Sequence, residues 1–222
     1  MTQYDPRKHH RHTIRLPGYD YSLAGMYYVT ICTNKRLMLF GGFDGTRISR
    51  MPSAEIVEAI WNSLPSRFSD INLDRFVVMP NHVHGIIVLK DRPPGIGIVP
   101  VADGVPGRRG PLHERCSLSE VVREFKSRTA DAYRLGVKKD RWKRYIGRLW
   151  QRGYYEHIIR DAESLDKIRD YIEHNPERWI LDRENPMMTD EDPFDVWFDS
   201  LGDERLVGGE AEEEREGRQL GR

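Results

Sequence analysis

His82 and His84, one residue apart in the stretch RFVVMPNHVHGIIVL over 75–89, are the side chains best placed for chemistry. The stretch reads as two short strands, 76–79 and 82–89, joined at Pro80-Asn81. Pro and Asn pre-set a tight turn, and Val and Ile favour strands. Side chains alternate along a strand, so both imidazoles point to one face and make two thirds of a metal site. A third ligand stands further on. Tyr171 and Asn175 are spaced i, i+4 in a helical stretch and share a helix face. Asn175 offers an amide oxygen and Tyr171 a phenol. Two imidazoles and one oxygen, with positions left open, suit a divalent ion such as Mg²⁺ or Mn²⁺. An ion held there polarises a phosphoryl oxygen, and a tyrosine oxygen can attack phosphorus and hold a cut strand covalently. Each signal also has an ordinary structural reading: a His-x-His in a strand, a packed tyrosine, an Asn-Pro ending a helix.

Several elements must position these groups. Tyr27–Thr33 has the β-branched and aromatic content of a strand, and a short edge strand is expected near Arg47–Met51. Residues 53–68 carry Ile56, Val57, Ile60, Trp61, Leu64 and Phe68 at helical spacing, with Ser53 as N-cap and Pro65 near the end. A second helix is expected over 117–134, opened by a Ser117/Glu120 capping box, with Leu118, Val121, Val122 and Phe125 buried. Residues 153–160 read as a strand, and 163–175 as a third helix that Pro176 stops. Phe194, Trp197 and Phe198 are expected to dock on the core. The order strand, helix, hairpin, helix, strand, helix predicts an α+β fold. Its form would be a ferredoxin-like sandwich, an antiparallel sheet with helices packed on one face.

At 222 residues and 38% hydrophobic content the chain suits one domain with a real core. That domain is expected over 16–201, after a basic arm at 1–15 that holds His9, His10 and His12. The Pro/Gly-dense stretch 91–111 is expected to be a mobile loop, and 202–222 a disordered charged tail. Cys32 and Cys116 form no CxxC pattern, and no membrane span or signal peptide is evident, so a cytoplasmic location is expected. The net charge of zero hides an uneven spread. Residues 111–160 hold thirteen basic and six acidic residues, whereas 203–222 hold four and seven. A basic middle suits a polyanion, though a solvated charged face fits equally. Arg123, Lys126 and Arg128, pointing away from the apolar stripe of the second helix, are the expected DNA contacts. The aromatics Trp142, Tyr145 and Trp150 interleave with further cations, a mixture that suits single-stranded or hairpin nucleic acid.

The motifs PGYDYSLAGMYYVTICTNKR, MPNHVHGIIV, WQRGYYEHIIRD and IRDYIEHNPERW occur in that order. Together they resemble the REP-associated tyrosine transposases, a family of HUH single-strand DNA transposases, over roughly residues 12–180. The resemblance implies a metal-dependent single-strand endonuclease and strand transferase that recognises DNA hairpins from repeated palindromes. It maps the metal-binding pair to His82 and His84, the nucleophile to Tyr171 and the completing ligand to Asn175. The product would be a 5′-phosphotyrosine link with a free 3′-OH. Tyr154 and Tyr155 are rival nucleophiles, and His157 and His174 further candidates for ligand or proton shuttle. The alternative is a non-catalytic protein that binds DNA hairpins on the same fold. A metal-dependent amidohydrolase would want a barrel of about 250 residues with its His-x-His near the first strand, and this chain does not fit. Monomer and homodimer both remain open.

Overall fold

The computed structural model describes residues 19–91 and 116–207, without the side chains of 202–207. The basic arm, nearly all of the 91–111 loop and the end of the tail lie outside the described residues. The described chain forms β1 (Gly25–Cys32), β2 (Gly41–Phe43), β3 (Ile48–Arg50), α1 (Pro52–Asn62), β4 (Ile71–Val78) and β5 (His82–Leu89). After the break come α2 (Leu118–Lys139), β6 (Tyr155–Ile159), α3 (Ala162–His174) and α4 (Pro193–Val207). α4 therefore carries helical backbone into the stretch read as a tail. Among the described residues no helix is long and apolar enough to cross a membrane.

Four strands make one antiparallel sheet in the order β4-β5-β1-β6, and β2 and β3 pair as a small separate ribbon. With α1 between β1 and β4, and α2 between β5 and β6, this is the ferredoxin-like arrangement expected. The two central strands carry the site. Their register sets Cys32 opposite His82, Thr30 opposite His84 and Tyr28 opposite Ile86. Strand alternation divides β1 cleanly. Tyr27, Val29 and Ile31 pack with Val83 and Ile87 beneath Val57 and Trp61 of α1 and Val121, Val122 and Phe125 of α2. Each such side chain contributes about 1.5–3 kcal/mol when fully buried.

The expectation of helices on one face describes α1 and α2 only. The opposite face, with Tyr28 and Ile86, is covered by Ile168, Tyr171 and Ile172 of α3 and by Phe194 of α4. Sequence order places α3 after the last strand but carries no information about which face it returns to.

Local chemistry explains the helix ends. Ser117 and Glu120 make the reciprocal capping box that opens α2. Asp161 caps α3 by accepting from the Ser164 amide. α1 differs from expectation: Met51 is its N-cap and Pro52 its first residue. Ser53 lies inside the helix, its hydroxyl donating to the Leu39 carbonyl at 2.7 Å.

Gly85 shows how tightly the α1 face is packed. A Cβ there would lie 2.5 Å from Trp61 Cζ2 and 2.9 Å from a Phe76 ring carbon. Trp61 and Phe76 are themselves stacked with centroids 4.3 Å apart. Gly85→Ala should therefore destabilise the fold by about 1–3 kcal/mol through overpacking, read as a lowered midpoint in denaturant. Ser117→Ala removes the α2 cap and should cost about 1 kcal/mol in the same measurement.

Candidate metal and nucleophile site

The face of the sheet beneath α3 buries two imidazoles among apolar side chains, and every polar edge of both is met. His82 and His84 are essentially inaccessible. Their Nε2 atoms face each other at 2.8 Å. Asp182 Oδ2 stands 3.5 Å from His82 Nε2 and 3.6 Å from His84 Nε2. These three side chains are the acid-and-imidazole group, among the described residues, that could hold a metal ion.

The outer ring nitrogens are set differently. His82 Nδ1 meets Asn81 Oδ1 at 2.8 Å. The Asn81 amide has one sensible orientation, because its Nδ2 donates to the carbonyls of Glu184 (2.8 Å) and Arg36 (3.4 Å). His82 Nδ1 must therefore carry the proton, which leaves Nε2 a lone pair directed at the site. His84 Nδ1 faces two hydroxyls, Tyr28 Oη at 2.8 Å and Thr30 Oγ1 at 2.9 Å. A hydroxyl can donate or accept, so His84 can take either tautomer. Burial, reinforced by the neighbouring His82, pushes the His84 imidazole down to about 4, so it is neutral and able to ligate.

Asp182 is the residue that sequence reasoning missed. It lies in the irregular segment after α3, where nothing in composition or spacing points to chemistry. Burial pushes its carboxyl up, but the two histidines outweigh this and hold it well below the usual carboxylate range. Its segment is fastened on both sides. Glu184 accepts from Cys32 Sγ at 3.1 Å and pairs with Arg36 at 2.9 Å. Arg183 pairs with Asp195 at 2.7 Å and Asp199 at 3.2 Å, both on α4. Even beside Arg183, burial pushes the Asp195 carboxyl up to about 7.

Of the residues expected at the site, Tyr171 is brought to it. Its hydroxyl donates to Asp182 Oδ2 at 3.4 Å, and its ring centroid lies 5.3 Å from that of His84. Phe194 stacks on the phenol at 3.8 Å, and a groove between α3 and α4 opens beside it. Burial, with the Asp182 charge second, pushes this phenol far above its ordinary value. Asn175 caps the C-terminal end of α3, fully buried, and neither of its amide atoms has a hydrogen-bond partner. Leaving such groups unmet costs about 1–3 kcal/mol, which a ligand to the amide would offset.

The rivals are distributed differently. Tyr154 packs with the α1/α2 core, beneath Lys126. Tyr155 stands opposite Thr30 on β1, on the same face as the histidines. His157 packs on Phe198, and His174 is exposed and pairs with Asp170. The expected DNA contacts on α2 lie across the sheet from the histidines. Lys126 donates to the carbonyls of Gln151, Arg152 and Gly153, and burial pushes its ammonium down to about 8. Arg128 donates to Ser63 Oγ at 2.7 Å, whereas Arg123 is well exposed beside Glu120.

A family model described as "Transposase IS200 like" matches residues 111–175, a span that ends with Tyr171 and Asn175. An uncharacterized protein from Haemophilus influenzae is 34% identical over 185 residues, 82% of this chain and 97% of that one. Among solved structures, a REP-associated tyrosine transposase bound to a REP hairpin aligns at a TM-score of 0.45 and 18% identity. That alignment covers 81% of this chain and 74% of the other. A candidate transposase from Deinococcus radiodurans R1 aligns at 0.37 and 19% identity, covering 71% and 93%. Structural likeness at that level is weak, and the fold assignment rests on the sheet itself. Over residues 111–175 the chain thus carries the sequence signature of the IS200-like transposases.

Proposed function

We propose that this protein is an IS200-like transposase, a metal-dependent single-strand DNA endonuclease and strand transferase acting on hairpin DNA with Tyr171 as nucleophile. The observation that carries the reading is the position of the Tyr171 hydroxyl, 3.4 Å from a carboxylate that also bridges two neutral-capable imidazoles. Hairpin DNA as the substrate draws on the motif resemblance and on the family. The solved relative is itself bound to a REP hairpin.

The donor set fits a divalent cation. His82 and His84 would ligate through Nε2 and Asp182 through its carboxylate; the Asn175 amide, buried at the end of α3 and unmet, is proposed as a further oxygen ligand. Nitrogen and oxygen donors of this kind suit Mn²⁺ or Mg²⁺. When bound, the ion would supply Lewis-acid polarisation of a phosphoryl oxygen. The protein's own groups do the rest. Asn81 holds His82 in the ligating tautomer, and the hydroxyls of Tyr28 and Thr30 can accept from His84 Nδ1 when its Nε2 ligates. Tyr171 Oη forms the new bond to phosphorus, and the bond from phosphorus to the 3′ oxygen breaks. The 5′ phosphate is left on the tyrosine and the other fragment leaves with a free 3′-OH. Asp182 accepts the phenol's hydrogen bond and is the nearest acceptor for its proton. Because Tyr171 is buried under Phe194, admission of a phosphodiester requires α4 to move aside.

Incubation of the full chain with hairpin-bearing single-stranded DNA and Mn²⁺ or Mg²⁺ should give a covalent protein–DNA adduct. Tyr171→Phe should lower adduct formation by about a thousandfold or more, the scale seen when a nucleophile is removed, and chelator should abolish it. Metal-dependent cutting that survives Tyr171→Phe would move the nucleophile to Tyr155, the rival candidate that stands on that face. Binding with no cutting at all would favour a regulatory DNA binder. Independently of cutting, calorimetric titration with Mn²⁺ should show Asp182→Asn binding at least about tenfold more weakly than the parent chain, or ~1.4 kcal/mol.

A further inference from the structure

The basic stretch 138–152 leaves the helix α2 and re-enters the sheet at β6, and nothing in the reaction above uses it. Lys138, Lys139, Arg141, Lys143, Arg144, Arg148 and Arg152 are all exposed, with Asp140 the one acid among them in the sequence. None of the seven pairs with an acid among the described residues. At the tip Ile146 is 89% exposed, the most exposed large hydrophobic side chain among the described residues.

The aromatics expected to stack bases are instead turned inward and build a rigid base for this loop. Trp150 is buried, its indole N–H donating to Thr129 Oγ1 at 2.8 Å. Trp142 lies so close to α2 that a Cβ on Gly136 would meet its ring at 2.3 Å. Tyr133 packs edge-on against Trp142 and Tyr145 and donates to the Lys143 carbonyl at 3.0 Å. Lys126 clamps the exit of the loop through the three carbonyls at 151–153. The loop is also fixed relative to the site. Asn34 donates to the Leu149 carbonyl, Gln151 donates to the Cys32 carbonyl, and Thr33 bridges Trp150. Cys32 pairs with His82, so the loop emerges at the end of the sheet where the histidines stand.

Single strands are held by stacking on exposed aromatics as well as by charge. Here the aromatic faces are occupied and the surface offers cations around one bare aliphatic side chain. Cations grip duplex phosphates, and an aliphatic wedge presses into a groove or between base steps. We propose that the loop 138–152 docks the paired stem of a DNA hairpin, with Arg144 and Arg148 on phosphates and Ile146 as the apolar contact. The stem is thereby held at the histidine end of the sheet, with its unpaired flank directed to the site. This inference rests on the DNA-processing reading above and names where the paired part of that substrate sits.

Binding is measured by fluorescence anisotropy in chelator, on the Tyr171→Phe background, so that cleavage plays no part. The probes are a DNA hairpin and an unpaired strand of the same length, each over a salt series. For the hairpin, Arg144→Ala/Arg148→Ala should reduce the slope of log K against log salt by about 1.8, two phosphate contacts' worth. Ile146→Ser should weaken hairpin binding at least about threefold with the slope unchanged. Lys90→Ala, at the opposite end of the sheet, should change neither. Either loop variant must melt at the parent temperature to count, and Arg144→Lys/Arg148→Lys, which keeps the charge, should restore the slope. An unchanged slope overturns the proposal, and so does an equal loss on hairpin and unpaired strand. If the slope shifts while the unmutated tyrosine never forms an adduct, the docking surface stands and the nuclease reading falls.

Discussion

Two imidazoles buried at the centre of a sheet are the constraint to which the surrounding structure is fitted. An imidazole nitrogen removed from water without a partner costs about 1–3 kcal/mol, and here four ring nitrogens are involved. The two outer nitrogens are met by Tyr28 and Thr30 from β1 and by Asn81 from the turn, while the two inner ones face each other beside Asp182 from the segment after α3. The geometry of the β1–β5 pair makes this possible. Antiparallel register sets Thr30 directly opposite His84, where a short hydroxyl side chain reaches the ring without filling the site. A polar network in a low-dielectric interior is stabilising only when complete, so the site and the elements that close it are interdependent.

The two faces of the sheet divide the work. On one, α1 and α2 press aromatic and branched side chains against β1 and β5, with Gly85 admitting Trp61 at close range. That layer makes the sheet rigid and so fixes the two histidines. On the other, α3 brings a phenol beside the imidazoles, the segment after it brings Asp182, and further acids are buried in and beside that segment and α4. Asp182, Glu184, Asp192 and Asp195 are all buried there, balanced by Arg183, Arg36 and Arg178. So many desolvated carboxylates suit a place where a cation is to be held, and strain the fold where none is.

Charge is distributed by the same logic. Lys126 and Arg128 point away from the apolar stripe of α2, as their spacing suggests, yet carbonyls and a hydroxyl on neighbouring segments already hold them. The loop that Lys126 braces, by contrast, carries seven exposed cations. A basic segment in sequence thus resolves into an inner part that supports and an outer part free to meet a polyanion.

Much of this was legible in the chain itself. Period-two and period-3.6 patterning located the four strands of the sheet and the helices α1, α2 and α3, but not α4, whose aromatics were expected only to dock on the core. His-x-His alternation put both imidazoles on one face, and the helical reading of 163–175 carried Tyr171 and Asn175, both of which are buried. The capping box at Ser117 was a purely local signal and holds as read. Those features depend on residues within a turn or a strand of one another, where geometry follows from spacing alone. What tertiary structure decided is of another kind. Sequence does not say that α3 covers the sheet face opposite α1 and α2, because the path of the chain after β6 depends on which surface remains apolar once the first layer has packed. It does not single out Asp182, eleven residues beyond Tyr171 in an irregular segment, because its role comes from a contact with β5 made only in the folded state. Nor does it show that Trp142 and Trp150 turn inward, since an aromatic among cations serves a core or a ligand equally well until the surrounding surfaces compete for it.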